Sequence, residues 1–237
     1  MHMSILNSDI GDFIISFLVA SLGFVFYLII KDSLRVHERL RITENNTLQI
    51  IFQRITGVFF LGLLPVFFIL GFSGHSFKDF GMVMPGADSW LWTGILGVIV
   101  VLINYFNASS KDNLKQYPQI RCSKWTLNTL LLSALSWTAY LLAYEFLFRG
   151  FFFFSSLRIL GLWPAILVNT GIYSLVHIPK GSRETLGAIP LGVVLCYLTY
   201  KTGGIWMAFM VHLIMALSNE WFSIKAHPKI TFVNSWK

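Results

Sequence analysis

Residues 139–154 read AYLLAYEFLFRGFFFF, and how this stretch is placed decides the fold. Its only charged residues are Glu145 and Arg149, four positions apart. Hydrocarbon has no partners for an isolated carboxylate or guanidinium, so an acid and a base in such a run must meet each other or line a polar space. At i and i+4 they share one face of a helix and can pair.

The rest of the chain has the same character. Of 237 residues, 55% are hydrophobic and 12% charged. A soluble domain carries about twice that share of charge. Charge-free runs cover Phe13–Ile30, Ile55–Phe77, Ser89–Ser110, Trp125–Tyr144, Ile159–Val176, Thr185–Tyr200 and Thr202–Asn219. A bilayer needs roughly 20 apolar residues in helical form, with about 17 as the lower limit. Six runs meet that limit and Thr185–Tyr200 is borderline. Strand-like alternation is absent, and backbone amides in lipid must be paired within their own segment. The expectation is an all-α, polytopic membrane protein of about seven transmembrane helices. The leader MHMSILNSDIGD has no Lys or Arg and carries Asp9 and Asp12, unlike a secretory signal. Phe13–Ile30 therefore reads as a true span.

The formal net charge of +7 is a matter of position rather than of nucleic-acid binding. With seven spans, Lys31, Arg35, Arg39, Arg41 and Arg54 fall on the same side as Lys111, Lys115, Arg121 and Lys124. Lys180, Arg183, Lys225, Lys229 and Lys237 join them. Lys78, Arg149, Arg158 and Lys201 fall elsewhere. This positive-inside bias places the N-terminus outside and the C-terminus in the cytoplasm of a cell (inner, cytoplasmic) membrane. The partner this charge distribution calls for is the bilayer, with no nucleic acid. Cys122 and Cys196 lie in different segments, form no CxxC and read as packing residues.

No internal repeat or soluble domain is visible. The polar loop 111–124 separates three spans (1–124) from a helical core (125–222), and 223–237 is a short cytoplasmic tail. Segment 73–89, SGHSFKDFGMVMPGADS, is a Gly/Pro-punctuated outer loop. Glu220 and His75 sit at span ends, where water is expected to reach them, and read as structural.

The ionisable residues inside spans are then Glu145, Arg149, His177 and His212. Gly161 breaks the helix 16 residues after Glu145, and His177 follows 16 residues later. An antiparallel turn at Gly161 therefore sets Glu145 and His177 level. His212 lies eight residues past the Gly203–Gly204 break, or roughly 12 Å along its helix at 1.5 Å per residue. All three can share one layer. Trp125–Ile159 is too long for one straight span, so its first turns are expected to lie along the inner surface. A carboxylate and two imidazoles in a dry pocket suit hydrolysis. The acid activates water, and the rings bind a metal or hold water and an oxyanion. Neither HExxH nor GxSxG is present, and no phosphate loop.

YEFLFRG (144–150), YSLVH (173–177) and TGGIWMAFMVHLIMALSN (202–219) resemble, in order and spacing, the motifs of the CPBP family, the Abi or CAAX-protease group. The likeness covers roughly 125–222. Its usual motifs are EExxxR, FxxxH and HxxxN or HxxxD. The resemblance implies an intramembrane endopeptidase, acting on a peptide or protein substrate, in which Glu and His activate water while a second His and an Asn stabilise the oxyanion. A divalent metal such as zinc, held by His177 and His212, is the cofactor it suggests. Carried over by position, Glu145 is the second acid, Arg149 the Arg, and His177 and His212 the two histidines. Tyr173 takes the Phe place.

Two positions depart from the pattern. Tyr144 stands where the first acid belongs, and Ala216 where the last Asn or Asp belongs. A phenol, with an ordinary pKa of about 10, is a poor base at neutral pH. Asn219 is roughly 10 Å further along the helix than Ala216's neighbour His212 and cannot fill that spot. Asn169, Tyr173 and His177, spaced by four, form a polar stripe that could face the pocket. The expected site is thus Glu145, His177 and His212, supported by Arg149, Tyr144, Tyr173 and Asn169. The departures equally suit a catalytically inactive relative that scaffolds, confers immunity or serves a membrane partner. A transporter is disfavoured, because neither an inverted repeat nor a second intramembrane acid is present.

Overall fold

The computed structural model describes residues 9–31, 33 and 46–233. Arg35, Arg39, Arg41 and Lys237, named above for orientation, lie outside the described residues. Among the described residues eight helices follow in order, short 3-10 turns aside: α1 Asp9–Lys31, α2 Thr47–Phe72, α3 Ala87–Asn107, α4 Lys111–Gln116, α5 Leu127–Leu160, α6 Leu162–Leu175, α7 Ser182–Thr202 and α8 Trp206–Ala226. The protein is an all-α, multi-pass membrane protein.

Five helices, α1, α2, α3, α5 and α8, are long and apolar enough to cross a membrane. The two remaining expected spans come out differently. Gly161, at φ +75°, takes a backbone shape that L side chains rarely adopt, and it ends one helix and starts the next. The run Ile159–Val176 is therefore split, and α6 keeps 14 residues, about 21 Å against a hydrocarbon core of about 30 Å. α7 has the length, 21 residues, but carries Pro190 and is less apolar. Both still connect the same two ends of the bundle. At one end Arg158 reaches Asp9, the Ile205 amide donates to the Gly81 carbonyl, and the Trp206 indole donates to Val83 O. At the other, Arg183 meets Asp112, and two-residue strands Lys124–Trp125 and Thr231–Phe232 pair in parallel. That strand pair, missed in the sequence, ties the loop after α4 to the segment after α8.

α5 is helical without interruption over 34 residues, with a π-helical stretch at Phe146–Phe152. A second π stretch, Val58–Leu63, lies in α2. The two helices meet at Gly62, where an added Cβ would stand 2.8 Å from the Ala143 Cβ. α1 closes against α5 through Phe17–Phe152 and Phe24–Phe148 ring contacts. α3 lies along α8, where the Asn104 amide donates to Met215 O and the Ser218 hydroxyl. The core centres on Phe148, Phe151, Phe152, Leu147 and Leu61. Around it, lipid-length faces of α1–α3 expose Phe26, Phe67, Leu70, Ile103 and Phe106. In lipid, such residues need no aqueous shield.

Two placements correct the sequence reading. Arg54 is not a headgroup-level cation. It lies inside α2, 3% exposed, where it donates to Ser133 O, the Ser136 hydroxyl and Gln119 Oε1 and stacks on Trp137. Glu220 is not water-washed. It is fully buried, accepting from the Ser133 hydroxyl and the Gln119 amide. Ser133 and Gln119 bond to both charged groups, as burial of ions requires, while Arg54 Nε has no hydrogen-bond partner among the described residues. Both remain structural, as does His75, which bridges Asp9 and Asp12.

Candidate active site

Three helices, α5, α6 and α8, bring the sequence-level candidates together. Glu145 ends the α-helical part of α5 and Arg149 follows within its π stretch; both are 0% exposed. Arg149 Nε stands 3.4 Å from Glu145 Oε2, so the i, i+4 pair forms as expected. The guanidinium also lies 4.0 Å above the Tyr173 ring of α6. The other carboxylate oxygen, Glu145 Oε1, accepts from His212 Nδ1 on α8 at 2.6 Å. His177, just past α6, bonds through Nδ1 to the Tyr173 carbonyl at 2.7 Å.

A carboxylate and a carbonyl can only accept, so each Nδ1 carries the proton. Each ring then keeps Nε2 as a lone-pair acceptor. Both histidines line a cavity of about 520 Å³ bounded by α3, α5, α6, α7 and α8. Tyr144 and Tyr173 line it as well. The Tyr144 ring has His212 edge-on at 5.6 Å and His177 edge-on at 6.5 Å. Glu145 and Arg149 do not line the cavity; they stand behind His212 and Tyr173. The chamber has an apolar half, with Leu191, Val194 and Met215, and a polar half, with Asn107, Asn113, Lys180 and Glu184.

Asn169 does not continue the Tyr173–His177 stripe into the chamber. Its amide donates to Phe148 O at 2.6 Å, and its carbonyl accepts from the Cys196 thiol. A π stretch displaces the ordinary i to i−4 ladder. Asn169 thus satisfies a carbonyl within the turn that carries Arg149. Cys122 and Cys196 are both free thiols. Ala216 and Asn219 line the cavity, Asn219 on the helix face that its seven-residue spacing from His212 implies.

A metal does not fit this donor set. Among the described residues no three His, Cys, Asp or Glu side chains stand where they could share an ion. Glu145 is committed to Arg149 and the His212 Nδ1–H.

This geometry coincides with a family match. Residues 123–218 match the model described as Type II CAAX prenyl endopeptidase Rce1-like. That segment is similar to the Rce1-like family. The match covers the motifs that suggested the CPBP/CAAX group, and the Rce1-like core contains Tyr144, Glu145, Arg149, His177 and His212. No curated protein and no solved structure matches the chain. The Rce1-like family is one of peptidases, so a hydrolase is the chemistry against which the site is read.

Proposed function

We propose that the protein is an intramembrane endopeptidase that cuts a peptide bond in a membrane-anchored or lipidated substrate. The observation that carries this reading is the Glu145–His212 contact, set behind a ring that faces a bilayer-depth chamber. Glu145 fixes the tautomer and orientation of His212, and Arg149 balances the charge of the carboxylate. His212 Nε2 takes a proton from water, and His177 Nε2 accepts the second O–H to aim it. Asn107, Asn113, Lys180 and Glu184 admit water to the polar half, while the apolar half holds the substrate's non-polar part. No step runs through a metal. The positive-inside bias puts the polar mouth at the cytoplasmic face.

The test is turnover of a membrane-tethered, quenched peptide by purified protein in liposomes. His212→Ala lowers kcat about 10²–10⁴-fold, the share a positioned general base contributes. Cleavage at the parental rate in both His212→Ala and Glu145→Ala overturns the reading. The residues Tyr144 and Ala216 favour a second reading, a non-catalytic relative that binds a membrane partner. Proteolysis that is absent from the parent and created by Tyr144→Glu with Ala216→Asn would establish it.

A further inference from the structure

The geometry points to Tyr144 as a catalytic residue: its phenol donates to the oxygen of the scissile carbonyl as charge builds there. This rests on the endopeptidase reading and supplies the part that reading lacks. An acyl-transfer site needs a donor aimed at the developing oxyanion. The resemblance implies an Asn at the place of Ala216 for that task, and a methyl group cannot donate. Ala216 and Tyr144 line the same chamber.

Three observations single out Tyr144. Its side chain is buried, 4% exposed, yet its hydroxyl has no hydrogen-bond partner. Leaving such a group unpaired costs free energy, so a ligand oxygen that reaches it as the chamber wall adjusts gains a bond. The ring stands between both cavity-facing imidazoles, edge-on to each. It is held there by Phe148 at 4.7 Å and Tyr173 at 6.0 Å, which leave it little freedom to swing away. The two departures from the family pattern then explain one another. With no acid at 144, the base is His212 backed by Glu145. With no amide at 216, the donor is the phenol.

The step balances. Water oxygen bonds to the carbonyl carbon while one of its protons passes to His212 Nε2. The carbonyl π pair moves onto the oxygen, which accepts a hydrogen bond from the Tyr144 hydroxyl. That pair returns as the C–N bond breaks, and the proton on Nε2 goes to the leaving amine. An acid and an amine result.

The experiment compares parent and Tyr144→Phe in liposomes, by turnover of the tethered peptide and by binding of a peptide aldehyde, whose hydrate mimics the tetrahedral adduct. Loss of one oxyanion donor lowers kcat about 10²–10³-fold. KM is expected to stay within about threefold, the aldehyde to bind at least about tenfold more weakly, and the variant to melt no lower than the parent, because the removed oxygen had no partner. Parental kcat and aldehyde affinity in Tyr144→Phe overturn the phenol's role while leaving the endopeptidase reading intact. If the parent does not cleave, that reading fails. The catalytic role then falls with it, and the aldehyde arm reports the donor alone: weaker binding by the variant shows that the phenol holds a tetrahedral oxygen, and equal or absent binding sinks that as well. Should Tyr144→Phe misfold, 3-fluorotyrosine at 144 keeps the hydroxyl as a stronger donor and must bind the aldehyde at least as tightly as the parent. Weaker binding counts against the donor.

Discussion

At the scale of single residues, the site depends on side chains whose partners are fixed by backbone irregularities. Asn169 shows this best, since its amide meets Phe148 O inside the π stretch and its carbonyl takes the Cys196 thiol. Asn169→Ala strands a buried carbonyl and is expected to cost about 1–3 kcal/mol, read from thermal melting in detergent. A second residue effect lies in the loop between α2 and α3. Ser76 donates to Asp79 through its hydroxyl and its backbone amide, which holds the Asp79 carboxyl below its ordinary value. The stabilisation from this depressed carboxylate is complete above about pH 4 and is lost as the pH falls below it. Asp79 is exposed, so the contribution is small. Ser76→Ala should raise the Asp79 pKa toward the ordinary carboxyl value in a ¹³C NMR titration, and an unmoved value would refute the cap.

At the scale of elements, the π stretch of α5 governs the site. Gly150 lies within it, and an added Cβ would stand 2.9 Å from Phe80 O and 3.0 Å from the Phe146 ring. Phe80 ends the turn that precedes Gly81, whose carbonyl receives the first amide of the α8 start, Ile205. Gly150→Ala must therefore push the loop or the helix aside. The expected cost is about 1–3 kcal/mol, as for other overpacked cores. The shift is also expected to loosen the Glu145–His212 contact, so turnover should fall more than stability alone accounts for. A melting point and turnover both at parental values would contradict this.

At the scale of the whole molecule, hydrogen bonds and ion pairs sort the connections into two ends. Residues 73–86 and the Arg158 region lie at one, and residues 108–126, the His177–Glu184 turn and the strand pair at the other. Met84, 91% exposed, and Lys115, with a side chain 73% exposed, mark them. In a cysteine-free background, Met84→Cys is expected to react with an impermeant thiol reagent outside intact cells, and Lys115→Cys only after permeabilisation. The reverse pattern would invert the orientation inferred from the basic residues.

How much of this was legible in the chain depends on the range of the interactions. The membrane class, the helical content and the pairing of Glu145 with Arg149 follow from local quantities: charge density, run length and i, i+4 spacing. The motifs at 144–150, 173–177 and 202–219 also marked the side chains that the bundle gathers. Other features are set by which helix lies beside which. Gly161 was legible as a helix break, but that the 14-residue helix after it still links both ends of the bundle was not. Arg54 looked like a loop cation, and only the arrival of Ser133, Ser136 and Gln119 from distant sequence makes its burial tolerable. The π turn has no spacing signature, yet it draws Asn169 away from the chamber. Whether Glu145 or Tyr144 faces that chamber was beyond one-dimensional reasoning, since adjacent residues on a helix point about 100° apart. Only the packing of α8 against α5, which seats His212 on the carboxylate, decides it.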